Sequence, residues 1–210
     1  MSHDRRGRHR AIFAALALAA LGDPALSRAQ SSSNAGDFWE RDALSGDWGG
    51  LRSRLAAAGV TIGLQQQSEM WANAKGGLGR GGAYDGLFTL NLGVDLDKAA
   101  HWPNASIQAS AFEIQGVGPT LLRVGSLQTI SGIEATASTK LFDLWFEQKL
   151  LDGKLSLRFG QEGADEEMVI SEYGGLFVNS AFGFPPLMAI DLPSGGPSYP
   201  LAAPFARVKY

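Results

Sequence analysis

The sequence has no cysteine, few histidines and no long uninterrupted apolar run, and each of these shortages excludes a class of protein. Without cysteine there is no disulfide framework, so the fold depends on hydrogen bonds and packing alone. Two of the three histidines, His3 and His9, lie near the N-terminus, which leaves His101 alone in the rest of the chain. Zinc sites built from several His or Cys are excluded, and Ser-His-Asp or Cys-His catalysis is disfavoured. We predict no catalytic residues, no metal and no cofactor.

The N-terminus has the pattern of a secretory signal peptide. Four arginines within residues 1–10 precede an apolar run of 11 residues, Ala11 to Leu21, and Ser27-Arg28-Ala29 supplies small residues at a cleavage position. A helical membrane anchor is the alternative, but a membrane-spanning helix needs about 20 apolar residues. We predict a signal peptide at residues 1–29, cleavage before Gln30, and export.

The remaining chain is mildly acidic and has no long apolar run. Without residues 1–29 it holds 13 basic and 19 acidic residues, a net charge of −6, whereas nucleic-acid binding needs a basic surface. No run outside the signal peptide reaches about 18 apolar residues, so the chain cannot enter a membrane as helices. The other way to span a bilayer is a closed β-barrel, because every backbone polar group must be paired in lipid.

Alternating apolar and polar residues predict an all-β, antiparallel fold. The clearest segment sets Phe88, Leu90, Leu92, Val94 and Leu96 against polar or small residues, the pattern of a strand with two different faces. Further strands are predicted at 60–70, 106–111, 140–150 and 155–159, and a sixth begins near 205. Before them come a polar linker, residues 30–36, and a short helix capped by Asp47 and ended by Gly59.

Loops and turns separate these strands unevenly. Asp152-Gly153 predicts a tight turn, whereas residues 116–139 predict a long loop. The alternation slips at Phe112 and Ile114, which predicts a bulge or a strand end there. Short turns alternating with long loops are typical of an outer-membrane barrel. A soluble exported β-sandwich that binds carbohydrate remains an alternative, because one wet face gives the same alternation.

Three blocks of the sequence resemble the carbohydrate-selective porin family of the OprB type. The first is Leu44-Ser-Gly-Asp-Trp-Gly-Gly-Leu-Arg52 with Leu55 and Gly59-Val60. The second is Leu144-Trp-Phe-Glu-Gln148 with Leu151-Asp-Gly-Lys-Leu-Ser-Leu-Arg-Phe-Gly160. The third is Phe177-Val-Asn179, Phe182-Gly183 and Pro185, with the later Tyr199-Pro-Leu-Ala-Ala-Pro204. The resemblance runs from about Phe38 to the last residue, in the family's order.

This resemblance implies a barrel of about 16 strands that passes glucose and related sugars across the bacterial outer membrane. Its partners would be mono- and oligosaccharides and outer-membrane lipid, with no nucleic acid; the oligomeric state stays open. The family's length is roughly twice this chain's, so we expect the barrel region, residues 59–210, to be the N-terminal part of a longer barrel. Residues 30–58 would then be linker and helix. The alternative is a truncated barrel fragment without channel activity.

Residues predicted to face the lumen are the candidates for the sugar pathway. A sugar offers hydroxyls and apolar C–H faces, so charged, amide and aromatic side chains suit it, provided that binding stays weak enough for exit. The candidates are Asn91, Asp95, Asp143, Trp145, Glu147, Arg158, Arg207 and Lys209. Glu147 and Arg158 lie on neighbouring strands and are predicted to form an ion pair. Trp145 would contact sugar, or would join an aromatic girdle if the register slipped by one residue.

Two enzymatic interpretations are weaker. Asp165, Glu166 and Glu167 are consecutive, whereas a glycosidase needs two carboxylates about 5–10 Å apart around a cleft. We therefore predict that this acidic run is solvated. The glycine-rich residues 76–82 lack the Gly-Lys-Ser/Thr ending of a phosphate-binding P-loop.

Overall fold

The structure, a computed structural model, describes residues 43–168, 171, 173–183 and 191–210. The predicted signal peptide and the linker at 30–36 lie outside the described residues. Contacts divide the chain into two units, residues 1–51 and 52–210. In the first unit a 3₁₀ turn, Trp48–Gly50, follows Asp47, and Trp48 Nε1 donates a hydrogen bond to Ser45 Oγ at 3.0 Å.

The second unit contains one antiparallel sheet whose six strands follow one another in chain order. The strands are β1 (Val60–Asn73), β2 (Gly81–Asp95), β3 (Ala105–Val117), β4 (Ser138–Leu150), β5 (Leu155–Glu162) and β6 (Ala203–Lys209). Helix α1 (Leu51–Ala57) precedes β1, and helix α2 (Leu96–Ala100) follows β2. The all-β antiparallel class, the six strands and the short N-terminal helix are therefore confirmed.

Connections at the two ends of the sheet differ in length. At one end β2 joins β3 through residues 96–104, and β4 joins β5 through residues 151–154. At the opposite end lie the seven-residue β1–β2 loop (74–80) and the two largest connections, the β3–β4 loop (118–137) and the β5–β6 loop (163–202). None of the helices in the described part of the chain combines the length and the apolar character needed to cross a membrane.

Two local predictions near the short-turn end have different outcomes. Gly59 ends α1 as expected: its φ is +85°, and an added Cβ would lie 2.6 Å from the Asp95 carbonyl oxygen. For β2, in contrast, the alternation from Phe88 to Leu96 missed both ends of the strand, which begins at Gly81. It ends at Asp95, whose carboxylate accepts a hydrogen bond from the Asp97 N–H at 3.1 Å and so caps α2.

The pairing register gives the sheet an outer and an inner face. The outer face is apolar toward the short-turn end, through Val60, Ile62, Leu64, Phe88, Leu90, Leu92, Val94, Ile107, Ala109, Phe146, Phe159 and Val208. Several of these are strongly exposed, including Leu64, Phe159 and Val208. Closer to the loops Gln66, Glu113 and Gln115 interrupt the apolar surface, and a further exposed apolar row follows with Met70, Tyr84 and Val117.

The expected bulge at Phe112 and Ile114 was misplaced. Strand β3 pairs with β2 without a break through Val117. The extra residue lies on β4, where Ala109 and Ala111 pair with Leu144 and Leu141. The apolar residues of β3 change faces because the inner face itself becomes apolar near the loops, not because the strand slips.

A small apolar core covers that part of the inner face. Leu87, Phe112, Ile114 and Phe142 are buried there, and the two phenyl rings stack with centroids 4.6 Å apart. Tyr199 of the β5–β6 loop packs on Phe112, and its hydroxyl donates to the Ile133 carbonyl of the β3–β4 loop at 2.8 Å. Both large loops are therefore anchored on the inner face of the sheet.

Candidate functional site

All eight predicted pathway residues lie on the inner face. One cross-strand row runs over the five strands β2 to β6 and consists of Asp95, Ser106, Glu147, Arg158 and Arg207. The remaining candidates, Asn91, Asp143, Trp145 and Lys209, stand on the same face in adjacent rows. The shared face is a finding of the structure, whereas a role in sugar passage stays a prediction.

A charged cluster forms where β4, β5 and β6 meet the β5–β6 loop. We define it as Glu147, Arg158, Glu162, Glu167, Arg207 and Lys209. Arg158 lies at its centre: Nη2 is 3.6 Å from Glu147, while Nη1 is 2.8 Å from Glu162 and 3.3 Å from Glu167. The predicted ion pair between Glu147 and Arg158 is present, but it belongs to a larger network.

Arg207 connects the same network from β6. Its Nη2 donates to Glu147 Oε1 and to Ser156 Oγ, both at 2.7 Å, and Ser156 donates to the same carboxylate oxygen at 2.6 Å. Its Nη1 pairs with Glu167. The side chains of Arg158 and Arg207 are only 15% and 14% exposed, so these bonds are partly shielded from water and fix the orientation of both guanidinium groups.

The acidic run at residues 165–167 is solvated only in part: Glu166 is exposed, but Asp165 and Glu167 are partly buried and bonded. Asp165 accepts a hydrogen bond from the Tyr199 backbone N–H at 2.9 Å, and burial raises the pKa of its carboxyl. Glu167 pairs with Arg158, Arg207 and Lys209. Hydrogen bonding to Arg207 lowers the pKa of the Glu167 carboxyl. The run therefore joins the β5–β6 loop to the wall of the sheet.

Trp145 lies beside the cluster and faces inward. The Arg158 guanidinium carbon is 3.9 Å from the centre of the indole ring, which is a cation–π contact. Gly160 is paired with Trp145, and an added Cβ there would meet the Leu144 carbonyl oxygen at 2.2 Å. The register keeps Trp145 on the inner face, so the aromatic-girdle alternative does not apply.

The other candidates stand outside the charged cluster. Asp143 accepts a hydrogen bond from Ser110 at 2.7 Å, across the β4 bulge. Asp95 pairs with Lys98 of α2 at 3.3 Å. Asn91 lies two strands away from the cluster and borders Gly63. The structure thus groups Trp145, Glu147, Arg158, Arg207 and Lys209, but not the remaining three.

Sequence reasoning missed three contributors to the cluster. Glu162 stands four residues after Arg158 on one strand, so extending the alternation of β5 by a few residues would have placed both on one face. Ser156 likewise shares the face of Arg158. Glu167 gives no such signal, because its contacts are made from an irregular loop with residues up to 42 positions away.

The arrangement suits contact with a solute rather than covalent chemistry. The three carboxylates of the cluster are held by cations, so none is isolated as a general acid or base. An antiparallel sheet with an exposed apolar outer face, a charged inner face and long inward-anchored loops is the wall of a porin-type β-barrel.

Comparison with known proteins agrees with this class. The sequence profile of the carbohydrate-selective porin, OprB family, matches residues 79–210. Porin B of Pseudomonas aeruginosa is 28% identical over 166 residues, which cover 75% of this chain and 36% of that protein. Putative porin QuiX of Acinetobacter baylyi is 27% identical over 150 residues, which cover 66% and 34%.

A solved structure shows the same fold. The high-pH structure of Pseudomonas putida OprB superposes with a TM-score of 0.71 at 26% identity, over 81% of this chain and 42% of that one. The chain belongs to the OprB family of carbohydrate-selective porins, a family of channels rather than of enzymes. It spans about a third of the length of the curated relatives that it matches.

Proposed function

We propose that this chain forms part of the wall of a bacterial outer-membrane channel through which glucose and related carbohydrates diffuse into the periplasm. The charged cluster is the observation that carries the proposal. Its three cations, Arg158, Arg207 and Lys209, balance the carboxylates of Glu147, Glu162 and Glu167. A balanced wall attracts neither sign of charge strongly, and this favours neutral solutes.

The same cluster offers the groups that a sugar needs. Ion-paired carboxylates and guanidinium groups accept and donate hydrogen bonds to hydroxyls, and their mutual bonding holds them in place before the solute arrives. The indole of Trp145 carries the Arg158 guanidinium on one face, and its remaining surface adds an apolar contact for the C–H face of a sugar ring. Each contact is shared with a neighbouring protein group, so binding stays weak enough for the solute to leave.

Liposome swelling tests the proposal directly. Liposomes that contain the purified protein should swell faster in glucose than in gluconate or glucosamine, which have a similar size but carry one negative or positive charge. Protein-free liposomes and liposomes with heat-denatured protein are the controls. Equal swelling in all three solutes would show a nonselective pore, and faster swelling in either charged solute would contradict a balanced wall.

The second candidate is a barrel segment without channel activity of its own. The sheet that the structure describes has six strands, which favours this candidate, since an aqueous channel needs about 16. In that case liposomes with the 210-residue chain alone should not swell in any small solute. The reading frame downstream of Tyr210 separates the two candidates as well: further alternating strands would support the channel, and a stop codon would support the segment.

A further inference from the structure

A polar recess lies on the inner face away from the charged cluster, beneath helix α1. Its volume is about 350 Å³, and its lining includes Arg52 and Ala56 of the helix and Thr61, Asn91 and Gln108 of the sheet. An adjoining cavity of about 260 Å³ shares Thr61, Gly93 and Gln108 and extends to Trp145. Volumes of this order lie at the lower end for small-molecule sites.

The recess and the adjoining cavity share one cross-strand row as their floor, and within that row Trp145 lines only the adjoining cavity. Thr61, Gly93, Gln108 and Trp145 are successive partners on β1, β2, β3 and β4. Neighbouring strands lie about 4.8 Å apart, so the row spans about 14 Å. That length accommodates a sugar ring between the threonine hydroxyl and the indole.

Glycine creates the space. A Cβ at Gly93 would lie 2.6 Å from Thr61 Oγ1 and 3.2 Å from Gln108 Oε1. Gly63 likewise leaves room beside Asn91, whose Cβ is 3.4 Å from the position that a Gly63 Cβ would take. Any larger residue at position 93 would therefore fill the floor between the polar side chains.

The two amides around this floor are available to a ligand, while the Thr61 hydroxyl donates a long hydrogen bond to the Gly93 carbonyl at 3.4 Å. The side-chain amides of Asn91 and Gln108 make no hydrogen bond to any other residue that the structure describes, and neither residue is buried. In contrast, Arg52 is held in place, since its Nη2 donates to the Ile62 carbonyl at 3.2 Å. Two open amides, one hydroxyl and one indole match the alternating hydroxyls and C–H face of a pyranose.

We infer that this recess binds one monosaccharide unit and forms a second sugar-binding station at the short-turn end of the channel wall. The inference rests on the proposed function, because it supplies another site on the same pathway. A sugar that leaves the charged cluster can reach the recess through Trp145, which borders both. A channel that binds its solute weakly at several successive sites can be selective and still let the solute pass.

Variants in the folded protein test the recess. Gln108→Leu removes the amide at nearly unchanged volume, and Gly93→Val fills the floor. We expect Gln108→Leu to raise the half-saturating glucose concentration about fivefold, the cost of about one hydrogen bond. Gly93→Val should raise it at least about tenfold, because the new side chain occupies the space of the ring. The readout is glucose-dependent block of the ion current in planar bilayers.

Matched controls lie on the outer face of the same strands. Gln115→Leu removes an amide from β3, and Gly82→Val adds a side chain to β2 where the nearest heavy atom to a Cβ is 3.6 Å away. Both should leave the half-saturating concentration unchanged. Heat-modifiable electrophoretic mobility confirms folding of every variant, and Asn91→Leu repeats the amide test if Gly93→Val does not fold.

The outcome separates this inference from the proposed function. Folded Gln108→Leu and Gly93→Val proteins that bind glucose like the unvaried protein would overturn the recess while leaving the channel intact. If the unvaried protein shows no glucose passage, the proposed function fails. Calorimetric titration of glucose into the detergent-solubilised protein then decides about the recess alone: heat lost in Gly93→Val supports it, and no heat in the unvaried protein refutes it.

Discussion

The inner face of this sheet has two halves that differ in whether their polar side chains are bonded to one another. On β4–β6 the charged side chains bond to one another, as when Arg207 contacts both Glu147 and Ser156 at 2.7 Å. On β1–β3 the amides of Asn91 and Gln108 have no partner among the described residues and border glycines. In the first half the polar side chains are bonded to one another, and in the second half of the described face the amides are unpaired and open to a solute.

The difference shows that one strand scaffold supports two kinds of polar wall. Charges that are partly shielded must be paired, because an uncompensated charge costs several kcal/mol. Neutral amides tolerate contact with water and can remain unpaired until a ligand arrives. We therefore expect substitutions in the charged half to affect stability and ion flow, and substitutions in the neutral half to affect sugar binding alone.

The largest effect is expected from Arg207→Met. The substitution leaves the carboxylates of Glu147 and Glu167 without their strongest partner in a partly shielded site, which should lower the free energy of unfolding by about 2 kcal/mol or more. It should also raise the preference for cations. Urea unfolding in detergent and reversal potentials in a salt gradient measure the two effects.

Lys209→Met provides the matched control, since the Lys209 side chain is 71% exposed and its contact with Glu167 is 3.8 Å long. Its effect on stability should be small, in the range of a surface ion pair. Equal destabilisation by both substitutions would show that the network does not depend on Arg207.

Charge exchange gives the next largest effect. If Glu147 and Arg158 formed an isolated pair, Glu147→Arg combined with Arg158→Glu would preserve conductance. The structure predicts instead that the exchange fails. It would place a cation beside Arg207 and a carboxylate beside Glu162 and Glu167. Single-channel conductance should fall below that of the unvaried protein, and full retention would show that the pair is independent of the network.

Acidification should weaken the hold of the β5–β6 loop. The pKa of Glu167 is lowered by its hydrogen bond to Arg207, so its contribution to stability is present above the ordinary pKa of a glutamate and is lost as pH falls through the lowered value. The facing cations are Arg158, Arg207 and Lys209. We expect the unvaried protein to resist proteolysis in this loop better than Glu167→Gln at pH 7.

That advantage should disappear once the pH lies below the lowered pKa of Glu167, because both proteins then have a neutral side chain at position 167. Comparing the two proteins at each pH removes the effect of Asp165, whose pKa is raised by burial and which acts in the opposite direction. An advantage that does not decline at all as the pH is lowered would contradict the ionic origin of the contact.

The smallest effect is expected in the neutral half. Asn91→Ala should change the free energy of unfolding by less than about 0.5 kcal/mol, because the amide makes no hydrogen bond to the described residues. Ion conductance should also stay unchanged. A strong loss of stability would show that Asn91 has a structural role, and the contrast between the two halves would then be wrong.

The fold could be predicted largely from the sequence. A strand with one apolar and one polar environment on its two faces has apolar and polar residues that alternate along the chain. The alternation placed all six strands, and the Asp152-Gly153 signal placed the turn between β4 and β5. It failed where the inner face becomes apolar, since Phe112 and Ile114 pack under loops that no local pattern reveals.

The site was predictable only in part, for a similar reason. Residues of one face follow from the alternation, so the side chains of Glu147, Arg158 and Arg207 could be assigned to a shared surface. Their network could not, because Glu167 reaches it from an irregular loop 40 positions before Arg207. The recess was missed as well, since its main determinant, Gly93, contributes no side chain.

The length of strand β2 has a consequence for how the sheet would sit in a membrane. Strand β2 has 15 residues, which at about 3.4 Å each extend about 50 Å, or about 37 Å along the membrane normal at a tilt near 42°. The apolar belt of such barrels is about 25 Å tall. In a bilayer a belt that began at the short-turn end would reach about ten residues along β2, close to the level of Gln115, which pairs with Gly86. The loop-side end of the strand would then rise about 12 Å further, among lipid headgroups, and would carry the loops beyond them.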